Sequence, residues 1–430
     1  MPSSIPKPPT PIQRANFRNL YFDVLWFGIL AGSTITFLAV YAARLGASSF
    51  QVGLLSAGPA MVNLIITLPA SRWLESRPLI RSAFQGAVWN RLGYVVLIPL
   101  PLLLSEPAQV WGIALIILVM SVAGAVLLIS FNAMFADVVP PEWRAYVVGR
   151  RNAIVAISAA VSALICGQLL DMIIFPINYQ IVFLIGAVGG MMSSYHVGRI
   201  RAAGNPPSVT GKPLEDLGLA GVSRLVGQFR QFPELRFLLR REGKPLLRLD
   251  VLRGPFGSFM LAYFMFYTFL YIPLPLFPIY YVNVLNLSDG AISLGMAIFN
   301  TLTMLASLQL SRVTARFGYR RVLVFNTLIF GQYCLLLALA HSATLFWIAS
   351  MTGGIIWAMI NGGLINRLME RVPENDRTAY MALHNMAFNL GILTGSLVGP
   401  VLSGWVGLRE AIFISTGLRF LGGVLMWLWA

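Results

Sequence analysis

The chain has 430 residues, 57% of them hydrophobic and 11% charged, and its 31 Lys and Arg against 16 Asp and Glu give a net charge of +15. Such a basic excess would suit a nucleic-acid surface, but that surface needs a soluble domain with about 25% charged residues, and this chain has less than half of that. A mean hydropathy of +0.75 and apolar stretches too long for a soluble core leave an all-α polytopic membrane protein as the fold class. They exclude disorder and collagen, and the only cysteines, Cys166 and Cys334, each lie inside an apolar run and give no disulfide framework.

The first 18 residues are polar and Pro-rich, and the apolar run after them exceeds the ~7–15 residue core of a signal peptide, so a retained cytoplasmic tail is expected. Twelve stretches then supply the ~20 apolar residues of a bilayer-spanning helix. They fall near 19–43, 50–71, 82–105, 108–132, 152–174, 179–200, 256–282, 289–311, 322–341, 344–366, 384–405 and 409–429. The expected domains are a tail at 1–18, a six-helix bundle at 19–200, a basic cytoplasmic linker at 201–255 and a second six-helix bundle at 256–430. Within the linker, Leu225, Phe229 and Phe232 recur at helical spacing among arginines, as in a helix lying on an anionic leaflet; a solvated linker is the alternative.

Of the 31 basic residues, 27 fall at the ends and connections on the amino-terminal side of the membrane, against Arg44 and Arg409 on the other side and Arg91 and Arg419 within spans. Positive-inside placement thus predicts an inner-membrane protein with both termini cytoplasmic.

The chain also repeats itself. SRWLESRPLIR from Ser71 matches SRVTARFGYRR from Ser311 at an offset of 240, and the same offset pairs Tyr41 with Tyr281 and Leu45 with Leu285. Further on, Pro140, Arg144 and Asn152 pair with Pro373, Arg377 and Asn385 at an offset of 233. On these features the chain resembles the major facilitator superfamily, whose signature after the second helix is G-x-x-x-D-R-x-G-R-R. The second copy keeps Arg316, Gly318, Arg320 and Arg321, while the first has Glu75 near the acidic position with Arg77 and Arg81 beside it. The resemblance implies two bundles rocking about a midplane site, lined by helices one, four, seven and ten, with helices three, six, nine and twelve outside. In that frame Glu75, Asp137, Arg144 and Arg377 join the signature residues as gating-loop candidates able to latch one bundle to the other; setting topology alone is the plainer reading.

Charges inside a bilayer are costly, so each is a functional candidate. Asp23 in helix one is a candidate for substrate or proton work; the competing reading has it cap the helix or pair with Arg14, Arg18 or Arg91. His384, expected to open helix eleven, is the second coupling candidate. Arg91 and Arg419 belong to the outer helices, where structural pairing is expected. Among neutral groups, Asn63, Asn300, Trp357, Asn361 and Asn389, with Tyr263, Tyr267 and Tyr271 at a four-residue spacing, are candidates to line a cavity for a neutral or apolar ligand. Interhelical hydrogen bonding is the alternative for each. Gly391, Gly395 and Gly399 read as a close-packing face.

No Walker loop, H-E-x-x-H, G-x-S-x-G or C-x-x-C motif is present, so no enzyme, cofactor or metal is expected. The reading is a secondary transporter of a small organic solute by alternating access, with export of amphipathic compounds as its sharpest form. Its expected partners are the substrate, membrane lipids and protons as a candidate coupling ion, without nucleic acid, and the chain is expected to be a monomer. The rival is a protein of this fold that no longer transports and serves complex assembly or ligand sensing.

Overall fold

The structure is a computed structural model and describes residues 8–202, 240–241, 244–245, 252, 254–372 and 377–429. Its first half comprises α1 (Pro11–Arg44), α2 (Ser49–Glu75), α3 (Leu79–Leu97), α4 (Glu106–Val138), α5 (Pro141–Met172) and α6 (Ile177–Gly198). The second comprises α7 (Phe256–Val284), α8 (Asp289–Phe317), α9 (Tyr319–Ala338), α10 (Ala343–Arg371), α11 (Arg377–Val406) and α12 (Leu408–Trp429). Eleven of these are long and apolar enough to cross a membrane. The remaining one, α3, carries Arg81, Gln85, Asn90 and Arg91 and completes the twelve. Leu225, Phe229 and Phe232 lie outside the described residues.

Several helices run past the apolar stretches that mark them in the sequence. The first helix begins at Pro11 rather than 19 because Thr10 builds a capping box: its Oγ1 accepts the Gln13 amide at 3.3 Å, while Gln13 Oε1 accepts the Thr10 amide at 2.9 Å. Likewise α5 starts at Pro141, so Arg144, Arg150 and Arg151 are helical, and α11 starts at Arg377, which puts His384 two turns inside it rather than at its start. Helix hydrogen bonding does not stop where the first charges appear.

The internal repeat extends further than the loop motifs. Ser48 and Ser288, 240 apart, each cap the next helix, Ser48 Oγ accepting from the Gln51 amide at 3.3 Å and Ser288 Oγ from the Ala291 amide at 3.2 Å. The same offset sets the π-helical turn of α1, Ala31–Ile35, against the interruption of α7 between Tyr271 and Leu276. There Pro273 and Pro275 lack the amides that would continue the ladder. Gly318 turns α8 into α9 at φ +79°, a backbone that favours glycine; the first copy makes the matching turn with Pro78 as the cap of α3.

The buried core shows how the halves sit together. At the end carrying the α1–α2, α5–α6 and α7–α8 connections, one apolar cluster spans both halves, from Tyr41, Tyr179 and Phe183 to Tyr280, Tyr281 and Phe346. Toward the other end it divides: Phe17, Leu20, Val138 and Val197 form one cluster and Phe256, Phe259, Leu364 and Leu368 another. Within the second half, α11 lies on α7 through glycines. A Cβ on Gly395 would stand 2.4 Å from the Thr268 carbonyl oxygen, and one on Gly399 1.9 Å from that of Ile272.

Candidate functional site

Polar bonds between the halves follow the core. Arg44 Nη2 donates to Asp289 Oδ1 at 3.2 Å and to the Leu287 carbonyl at 2.7 Å. Asp171 Oδ2 accepts from Ser288 Oγ at 2.9 Å and from the Gly290 amide at 3.1 Å. Midway along the helices Asn63 Nδ2 reaches Asn389 Oδ1 at 3.4 Å.

The first half buries a charge network. Asp23, 3% exposed, accepts Ser193 Oγ at 2.6 Å and Arg151 Nη2 at 3.2 Å, and Ser193 Oγ in turn accepts Arg91 Nη2 at 3.0 Å. The Arg151 guanidinium also faces the Phe131 and Phe135 rings at 4.7 and 5.5 Å. Asp23 is therefore enclosed by α3, α5 and α6 and lines neither of the cavities described below. Its ion-pair partner is none of the three arginines expected from the sequence, although Arg91 reaches it through Ser193. Arg151 lies just before the apolar stretch that starts at 152, so the sequence gives no sign that it is helical, yet it sits ten residues into α5, about 15 Å along the axis.

Each half has a cavity among its helices. The one in the second half has a volume of about 410 Å³ and is walled by Tyr271, Phe277 and Tyr281 of α7, Phe299 and Asn300 of α8, Phe330 and Tyr333 of α9, Phe346, Ser350 and Trp357 of α10, and Arg419 of α12. The one in the first half, about 510 Å³, is lined by α1 to α4, with Ser56, Asn63, Asn90, Tyr94 and Ser121 as its polar groups. Both are of ligand size.

Of the expected cavity residues, Tyr271, Asn300 and Trp357 line the second-half cavity and Asn63 the first. The rest do not. Tyr263 and Tyr267 are buried against α11, with the His384 ring 4.4 Å from Tyr263 and the Phe388 ring 4.7 Å from Tyr267. A four-residue spacing drifts about 40° per step around a helix, so the three tyrosines span about 80° and only the last reaches the cavity. His384 is thus packed on an aromatic ring. Asn389 is buried and donates to the Asn385 carbonyl at 2.8 Å, and Asn361 is exposed but lines neither cavity.

The gating-loop residues with described partners bind within their own half. Arg144 caps α4 by donating to the Ala136 and Val139 carbonyls at 2.7 and 3.1 Å. Arg320 donates to the Trp427 carbonyl at 3.2 Å, Arg77 lies 4.0 Å over Trp73, and Arg316 lies 5.4 Å over Phe317. Arg81, Asp137 and Arg321 are exposed. The side chains of Glu75 and Arg377 lie outside the described part of the structure.

Two six-helix halves with the same internal landmarks, fused at one end and with ligand-sized cavities among their helices, define a polytopic membrane transporter. The family model described as Major Facilitator Superfamily matches residues 24–254 and 259–430, and the chain belongs to that family, which is one of transporters and not of enzymes. Multidrug resistance protein 2 of Bacillus subtilis (strain 168) is 23% identical over 144 residues, which are 34% of this chain and only 36% of that protein's length. The structure of a bacterial homologue of the iron transporter ferroportin in its inward-facing state matches with a TM-score of 0.72 at 12% identity, over 98% of this chain and 99% of that one. The corresponding outward-facing structure matches with a TM-score of 0.60 at 14% identity, over 96% and 99%.

Proposed function

We infer that the protein is a secondary transporter that carries a small organic solute by alternating access, and that the described conformation is open toward the cytoplasm. The observation that carries this is the core: continuous across the halves at the end with few basic residues, divided in two at the arginine-rich end. Arginine placement makes the fused end the outer one and leaves both termini cytoplasmic in an inner membrane. The better match to an inward-facing relative than to its outward-facing counterpart supports the same assignment.

The aromatic walls of the second-half cavity suit an amphipathic organic compound, and the partial likeness to a multidrug resistance protein favours export. Asp23 is our candidate for coupling protons to this movement, since protonating it would remove the charge that pairs with Arg151. The test is uptake of a panel of amphipathic dyes into proteoliposomes, with and without an imposed pH gradient. Saturable flux is expected, arrested by oxidising a Asp171→Cys, Ser288→Cys pair across the fused end and restored by reductant. No saturable flux of any dye under either condition refutes the reading.

A further inference from the structure

The second half buries a charge of its own, Arg419. It lies at the middle of α12, eleven residues from Leu408 and ten from Trp429, so roughly 15 Å from either helix end. It is 2% exposed and walls the 410 Å³ cavity of the second half. Its Nη2 donates to the Leu270 carbonyl at 2.8 Å, a group at the interruption of α7, and its Nε and Nη1 are buried without a hydrogen-bond partner among the described residues. The guanidinium faces the Phe330 and Phe277 rings at 4.9 and 5.8 Å. The titratable groups that interact with it electrostatically, the Tyr281 and Tyr333 hydroxyls and the Cys334 thiol, come from α7 and α9. None is a carboxylate.

The contrast with the first half is informative. There, two buried guanidiniums share Asp23 directly or through Ser193. In the second half a positive charge is held away from water beside an aromatic cavity, with no acid among the described residues to balance it. Capping the α7 interruption uses one nitrogen and leaves the charge uncompensated, and the aromatic faces offset only part of its desolvation. A planar guanidinium with two free donors matches a carboxylate. Phe277, Phe330 and Trp357 supply flat apolar surface beside it, and the exposed Asn300 and half-buried Tyr271 add polar groups to the same wall. Its depth keeps Arg419 out of reach of a lipid headgroup, so the anion must be carried in by a small molecule.

We propose that this cavity binds an organic monoanion with an aromatic or similarly flat apolar body, its carboxylate seated on Arg419 and its body against Phe330 and Trp357. This deepens the transporter reading by naming a substrate class, and it rests on that reading only for what happens after binding. The test is calorimetric titration of the purified full chain with 2-naphthoate and with its neutral counterpart 2-naphthamide. Naphthoate should bind the unaltered protein about tenfold or more tightly than naphthamide. Arg419→Gln should remove that preference by weakening naphthoate alone, Arg419→Lys should keep part of it, and Trp357→Ala should weaken both probes. Equal affinities in the unaltered protein, no naphthoate binding, or naphthoate affinity unchanged by Arg419→Gln would each overturn the proposal, as would a Trp357→Ala protein that binds both probes normally. If Arg419→Gln does not fold, the two probes on the unaltered chain decide the matter. Loss of selective binding with dye flux intact removes the anion site and leaves transport standing; selective binding without any saturable flux does the reverse.

Discussion

The buried pair Asp23–Arg151 makes the sharpest stability prediction. Its side chains are 5% and 16% exposed, so solvent screening discounts their interaction little. Asp23→Asn leaves the Arg151 charge in the bundle with no carboxylate, and Arg91, joined to Asp23 through Ser193, loses the same countercharge. Breaking one side of a buried pair costs about 3–5 kcal/mol, largely through the charge left behind. Because asparagine keeps an oxygen for Ser193, the lower end, about 3 kcal/mol, is expected. Arg151→Met should cost a similar amount, and its side chain can still lie against Phe131 and Phe135. The double variant removes both charges and should be less destabilised than the sum of the singles by about 2 kcal/mol, within the range of coupling between contacting residues. Equilibrium unfolding of the four proteins in mixed micelles measures this cycle. Single losses that add to within about 0.5 kcal/mol would show that the two groups are energetically independent, and the account of Asp23 as an enclosed, paired charge would fall.

Three further outcomes are expected. Arg44→Gln weakens the outer closure; with Arg44 28% exposed the contact is worth about 1 kcal/mol, and outer-end opening, read by cysteine accessibility at position 288, should rise about fivefold. Gly399→Ala places a methyl group 1.9 Å from the Ile272 carbonyl, forces α7 and α11 apart and should cost more than about 2 kcal/mol in the same unfolding assay. Asn63→Ala removes a bond of 3.4 Å and should change stability by no more than about 0.6 kcal/mol, the average for such interhelical bonds.

The architecture was largely legible because a spanning helix announces itself by length and apolarity, and because Tyr41 and Tyr281 or Ser71 and Ser311 hold the same register in both halves. What escaped was phase and reach. Tyr263 and Tyr267 share a spacing with Tyr271 but not its face, and Arg151 falls outside the apolar run because its helix extends beyond that run. Arg419 was assigned to an outer helix and to structural pairing, yet no acid meets it among the described residues. Its neighbours held the missing signal: Ala411, Ile412, Ser415, Gly422, Gly423 and Met426 are buried with it, a largely small-residue stripe at helical spacing that turns the arginine inward. No pattern in the sequence pairs Asp171 with Ser288 or Arg44 with Asp289, because those contacts depend on how two separately folded bundles meet.

The glycine contacts between α11 and α7 have a mechanical consequence. Gly399 adjoins Pro400 and presses on the carbonyl of Ile272, inside the interruption of α7 that runs from Tyr271 to Leu276. The weak points of the two helices are thus stacked backbone on backbone, with no side chain between them to act as a cushion. Neither can flex without bending the other, so the pair works as a single lever whose fulcrum lies beside the carbonyl that Arg419 grips.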